Sequence, residues 1–294
     1  MEKGCRLLKM EDAKAALGKR PPDAHKGTFG YVGILGGSLS YSGAAKLANL
    51  GASAMRSGCG VVTLGVPASV APAVAPYLLE STLFPMPDAD GKMVFDHSAL
   101  ESFLVGKRAV SAGMGWGKSK DYIKILEYLF HNFSGALLLD ADALNTLAEE
   151  GIDLLLQKQG TVILTPHPME FSRLSGRPVD KILEDPTGTA KAFAAKYGVI
   201  LLLKGPVTTV TDGEVVFQSD RGCAGMATAG SGDVLSGVLT GLLGYLPPTA
   251  LTVACGAFIA GFAGEIAERE SNPVSMVASD TVRALPKAFS EILK

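Results

Sequence analysis

Paired cysteines are missing from this chain. Cys5, Cys59, Cys223 and Cys255 lie far apart without a CxxC spacing, so reduced thiols are expected and neither a disulfide framework nor a zinc ribbon is. The four histidines show no metal-ligand spacing, and no Ser/His/Asp or Cys/His constellation follows from spacing. Charge is sparse as well. Charged residues make up 19% of the chain and the formal net charge is -2, which implies no basic face and argues against a nucleic-acid partner. The N-terminal stretch MEKGCRLLKMEDAKAALGKR carries charges throughout and has no apolar core, so it does not read as a secretory signal. The longest charge-free apolar run, near Leu251–Gly264, falls short of the ~20 residues of a membrane span. It reads as a buried helix, and the expectation is a cytoplasmic protein without a membrane partner.

What is present is enough apolar residue (47%) for a large core, with 35 glycines and 16 prolines spread along the chain as turns. Short apolar runs at Tyr31–Leu35, Gly60–Val66, Arg108–Ser111, Ala136–Asp140, Thr161–Thr165 and Val199–Lys204 read as strands. Helical stretches alternate with them: about Ser42–Ser57, Asp121–Phe130 and Thr187–Tyr197. Val207–Thr211 and Glu214–Gln218 flank Asp212-Gly213, a hairpin signal. Helices over Asp233–Leu243, Thr249–Glu268 and Ser279–Leu293 close the chain. Strands without clean alternation, separated by helices, predict an α/β fold with a mainly parallel sheet, helices on both faces and a small hairpin. One domain over residues 1–294 is expected, with 1–24 as a lead-in segment.

In such sheets ligands bind beyond the carboxyl ends of the strands. Unusual residues follow strands here at Gly36-Gly37-Ser38, Gly113-Met114-Gly115, Asp140, His167 and Lys204. The strongest signal is Gly230-Ser231-Gly232-Asp233, ahead of an apolar helix. Free N–H groups and the helix dipole make that terminus an anion site, and a carboxylate beside bound phosphate can accept a proton from an attacking hydroxyl. The plain alternative is that Asp233 only caps the helix. His167 and Glu170, in TPHPME, are held by two prolines and suit a ligand contact. Lys204 suits a nucleotide phosphate or a salt bridge. Asp140, Asp142 and Asn145 suit magnesium through water or helix capping. Lys26 suits a basic lip over an anionic substrate or a surface arm. A competing motif, AGMGWGKS from Ala112 to Ser119, nearly fits a P-loop, with ALLLD as its acidic strand.

Taken together, HKGTFGYVGILGGSLSYSGAA (from His25), LLLDADALN, LTPHPMEFSRL, LLKGPVTTV and AGMATAGSGDVLSGVLTGLL resemble the NAD(P)H-hydrate dehydratase family of the ribokinase-like superfamily, in its stand-alone form. The resemblance implies a hydro-lyase that uses ADP or ATP to dehydrate the 6-hydroxylated hydrate of NADH or NADPH. It places Lys204, Gly205, Pro206, Val207, Thr208 and Gly232 on the adenine nucleotide, with Gly230 and Ser231 at the phosphate. Ala44, His167, Asp233 and one glycine of the pair Gly113 and Gly115 fall on the hydrate, with Asp233 as catalytic base. It also implies magnesium and a homo-oligomer, with a tetramer among the options. A small-molecule kinase of the same fold and a non-catalytic nucleotide sensor are the rival readings.

Overall fold

The computed structural model describes residues 5–50 and 56–294. Ten strands make one sheet: β1 (Cys5–Leu7), β2 (Tyr31–Leu35), β3 (Val61–Pro67), β4 (Thr82–Met86), β7 (Lys107–Ala112), β8 (Ala136–Leu139), β9 (Thr161–Leu164), β10 (Ile200–Leu203), β11 (Thr208–Thr211) and β12 (Val216–Ser219). A separate hairpin pairs β5 (Asp88–Ala89) with β6 (Lys92–Met93). The sheet order is β1-β12-β11-β10-β9-β8-β7-β2-β3-β4, and only β11 runs against the rest. The expected mainly parallel sheet is therefore present, and β11–β12 is the expected hairpin. Asp212 makes its turn by accepting the amides of Glu214 and Val215 at 3.0 Å each, as an Asx turn does.

Both faces of the sheet are covered because both sets of alternating side chains are apolar. Val32, Ile34, Leu138 and Leu202 pack with the Ser231–Leu243, Ala250–Glu270 and Ala278–Ile292 helices. Leu35, Leu137, Leu139 and Leu201 pack on the other side with the Asp121–Asn132, Asp142–Glu150 and Pro186–Tyr197 helices. The apolar run expected to fall short of a membrane span forms part of a 21-residue helix, Ala250–Glu270. That helix meets the length, but its apolar residues are buried in the core. Glu265, Glu268 and Glu270 carry it beyond the charge-free stretch.

The lead-in is part of the fold: β1 pairs with β12 in parallel, and the Met10–Leu17 helix packs against Ala250–Glu270. A three-residue edge strand is too short to show periodicity. The helix expected over Ser42–Ser57 is described as Ser42–Asn49; residues 51–55 lie outside the described residues.

Register aligns the strand ends that matter. Leu35 pairs with Ala112, Ala112 with Leu139, and Leu139 with Leu164. The residues that follow, from Gly36, Gly113, Asp140 and Thr165, therefore emerge at one edge. The order also reverses between β2 and β7, since β3 and β4 extend one way and β8 to β10 the other. A crevice opens at such a reversal.

Candidate active site

Lys204 stands at the centre of the edge. Its Nζ lies 2.9 Å from Asp140 Oδ1 and 3.7 Å from Glu170 Oε2. Burial works to lower the ammonium's pKa, but Asp140, Glu170 and Asp233 outweigh it and hold the pKa above the ordinary value. Asp140 is fully engaged, because Ser236 Oγ donates to its Oδ2 at 2.8 Å. Ser236 itself is buried. It was not singled out in the sequence, although its place one turn after Asp233 was the available signal.

His167 caps the Pro168–Ser175 helix. Its Nδ1 accepts from Met169 N at 3.1 Å and Glu170 N at 3.3 Å, while Glu170 Oε2 accepts from His167 N at 2.8 Å. This reciprocal box puts the imidazole proton on Nε2. Burial, then the Lys204 and Arg173 cations, hold the imidazole below its usual pKa against Glu170 and Asp140. The ring is thus a neutral donor at the wall of a cavity.

That cavity measures about 760 Å³ and is the nucleotide-sized space of the edge. His167, Lys204, Gly205, Pro206, Thr208, Ser231 and Gly232 line it. Val207 does not; its side chain turns to solvent, 46% exposed. Nor does Gly230, whose φ of 95° lets the chain enter the helix and whose hydrogens face Leu47 and Ala278. The remaining wall is the Arg221–Ala227 segment, and the floor includes Ala257, Ala260 and Gly261. Sequence reading missed both, though small residues on one face of a long helix mark where something approaches closely. Glu265 and Glu268 hold that wall by accepting from Gly222 N at 3.1 Å and Gly225 N at 2.7 Å.

At the Ser231–Leu243 helix the N-cap is Gly230 and no side chain caps it. The cap reading of Asp233 therefore fails. Among the described residues the amides of Gly232 and Asp233 have no partner, and Ser231 Oγ is buried without one. Free amides, an orphan hydroxyl and Lys204 converge as donors suited to a phosphate. Asp233 has its pKa pushed up to about 7 by burial, then by Asp140 and Asp142, with Lys204 opposing.

A second cavity, about 570 Å³, is lined by Ser38, Ser40, Tyr41, Lys92, Gly117, Lys118 and Asp142. Ser231 and Gly232 line the first cavity and Asp142 the second; Asp233 directly follows Gly232 and lies within electrostatic reach of Asp142. Gly115 (φ 69°) presses on Tyr41 and Ala44: a Cβ there would sit 2.8 Å from Ala44 Cβ. Gly113 (φ 115°) is pressed instead against the Asp140 carbonyl. Asp142 Oδ2 accepts from Gly117 N at 2.7 Å, and Asn145 Oδ1 accepts from Arg173 at 2.9 Å. Neither caps a helix by its side chain, since Ala141 is the N-cap there.

Lys26 is not part of the site. It precedes β2 and therefore lies at the opposite edge, where its carbonyl abuts Gly60. The P-loop reading also fails. Lys118 pairs with Glu149 at 2.6 Å, with side chains 79% and 50% exposed, and the Gly117 amide is already bound to Asp142.

Comparison with known proteins gives the family. A family model described as NAD(P)H-hydrate dehydratase matches residues 32–287. The bifunctional NAD(P)H-hydrate repair enzyme Nnr of Moorella thermoacetica is 35% identical over 286 residues, 96% of this chain and 53% of that protein. The chain thus spans about half the length of the bifunctional relatives it matches. The ADP-dependent (S)-NAD(P)H-hydrate dehydratase of Bacillus subtilis is 30% identical over 282 residues, 95% of this chain and 96% of that protein. A crystal structure of the ADP/ATP-dependent NAD(P)H-hydrate dehydratase from Bacillus subtilis, co-crystallized with ATP and Mg²⁺, superposes with a TM-score of 0.84 at 27% identity. It covers 99% of this chain and 100% of that one. On the family match and these relatives, the chain belongs to the NAD(P)H-hydrate dehydratase family.

Proposed function

We propose that the protein dehydrates the 6-hydroxylated hydrate of NADH or NADPH at the expense of ADP or ATP. The products are the restored cofactor, phosphate, and AMP or ADP. The observation that carries this is Asp233: a largely buried carboxylate with its pKa pushed up to about 7, next to Gly232 of the donor-lined cavity and within electrostatic reach of Asp142 of the second.

The nucleotide takes the larger cavity, its terminal phosphate against the Gly232 and Asp233 amides, Ser231 and Lys204. Gly205, Pro206 and Thr208 line the same wall. The hydrate takes the other side, near Ala44 and Gly115, with His167 reaching it from the wall of the larger cavity. Of the two candidate glycines, Gly115 is the better contact because Gly113 is spent on the Asp140 carbonyl. Asp233 removes the hydroxyl proton, and the oxygen attacks the terminal phosphorus as the bridging P–O bond breaks. The ring nitrogen then expels phosphate from carbon, and loss of a proton from the neighbouring carbon restores the double bond. Hydroxide is the conjugate base of water, with a pKa of about 15.7. A phosphate ester's second ionisation lies near ~6, so phosphorylation makes departure far easier.

Among the described residues no group of three or more acids, cysteines or histidines could cage a metal. Asp140 and Glu170 already bind Lys204, so magnesium fits only on the nucleotide's phosphates, with these carboxylates reached through water. It would supply neutralisation of phosphate charge. A sugar or vitamin kinase would instead accumulate a stable phosphorylated product. The test is to incubate the protein with NADH hydrate, magnesium and either ADP or ATP. Recovery of the reduced cofactor's near-ultraviolet absorbance is expected; no recovery with either nucleotide refutes the reading.

A further inference from the structure

The second cavity is lined by two lysines, Lys92 and Lys118, that the chemistry above does not use. Lys92 sits on β6 between buried Gly91 and Met93, so its backbone cannot drift. The hairpin is fastened to the Ser38–Tyr41 loop: Leu39 N donates to Gly91 O at 2.9 Å, and Gly91 has no room for a side chain against Leu39. Lys92 Nζ donates to the Lys118 carbonyl at 2.9 Å, which makes the two lysines neighbours in the cavity's lining. Lys92 meets no carboxylate among the described residues. Lys118 meets only Glu149, in an exposed pair of the kind that contributes little and exchanges readily for another anion. The cavity's own acid, Asp142, is committed to the Gly117 amide. Tyr41, 58% exposed, stands at the rim.

We propose that Lys92 and Lys118 form the phosphate-recognising end of the substrate cavity, binding the phosphates of the dinucleotide while its hydroxylated ring lies towards Asp233. The proposal rests on the functional reading above and adds what selects the substrate. Ammonium–phosphate contacts made equally in ground and transition states raise affinity and leave turnover alone.

The test replaces each lysine with glutamine and measures KM and kcat with NADH hydrate and with NADPH hydrate, under saturating ADP or ATP. Each change is expected to raise KM about tenfold with little change in kcat, and the wild-type KM should climb with ionic strength. Lys124→Gln, a surface lysine paired with Asp121, serves as the control. A rise with both substrates assigns the lysines to the diphosphate; a rise with NADPH hydrate alone assigns them to the ribose phosphate. Fluorescence titration with NADH and NADPH repeats the comparison without turnover. A Lys92→Gln/Lys118→Gln protein with wild-type KM for both hydrates overturns the proposal. Lysine-dependent NADPH binding without any turnover by the wild type overturns the dehydratase reading and leaves this one standing.

Discussion

Two glycine-rich turns of this protein look alike in sequence and are used in opposite ways. Gly113–Gly117 commits three of its amides to holding the turn in place: Gly113 N goes to Leu35 O, Trp116 N to Gly113 O and Gly117 N to Asp142. Trp116 is fully buried, stacks on Tyr122 at 4.6 Å and donates its Nε1–H to Leu35 O at 3.0 Å. Gly230–Gly232 leaves the Gly232 and Asp233 amides open and opens onto the larger cavity. The first turn is a structural plug that shapes a cavity from behind; the second is an anion site. What distinguishes them is that the free amides of the second open a helix N-terminus, where the helix dipole adds to them; glycine content does not.

The sharpest way to test that division is to remove the chemistry from the open turn. Asp233→Asn keeps the shape and deletes the base, and should lower kcat by about 100- to 10,000-fold. ADP affinity measured by calorimetry should persist. Near-normal turnover in that variant would return Asp233 to a packing role.

Adding one methyl group to each turn should break them differently. Gly113→Ala forces a side chain at φ 115° into the Asp140 carbonyl. It should cost about 3 kcal/mol or more of stability, read as a lowered denaturant midpoint. Gly232→Ala has ordinary room, with Lys204 Nζ and Asp140 Oδ2 at 3.6 and 3.7 Å from the new Cβ. It should fold with a near-normal midpoint, yet bind ADP about tenfold more weakly, because the methyl stands where phosphate meets the backbone. If both variants lose stability alike and neither loses ADP affinity selectively, the two turns are the same kind of element.

Much of this was legible before any coordinates. Parallel strands deliver the residue after each strand to a common edge, so Gly36, Gly113, Asp140, His167 and Lys204 could be grouped from order alone. The same rule should have excluded Lys26, which precedes its strand. Asp90-Gly91 carried a hairpin signal as clear as Asp212-Gly213, but its strands are two residues long and show no alternation. What sequence could not supply was partnership. That Asp140 would hold Lys204 and Ser236, that Asp142 would bind an amide and not cap a helix, and that Val207 would turn outward depend on side-chain directions set by tertiary packing.

The smallest expected effect tests a residue that connects the two turns. Asp142 pins Gly117 through Oδ2 and, after burial and Asp140, helps keep Asp233 near a pKa of about 7. A base must be deprotonated to act, so kcat/KM should rise with pH through about 7 in the wild type. Asp142→Asn keeps an acceptor for the Gly117 amide while removing a negative charge that disfavours ionised Asp233. The Asp233 pKa should then fall, and the acid limb of the profile should move to lower pH, with the gain seen at mildly acidic pH. A limb that stays in place, or moves upward, would mean that the plug turn touches the open turn through packing alone and not through charge.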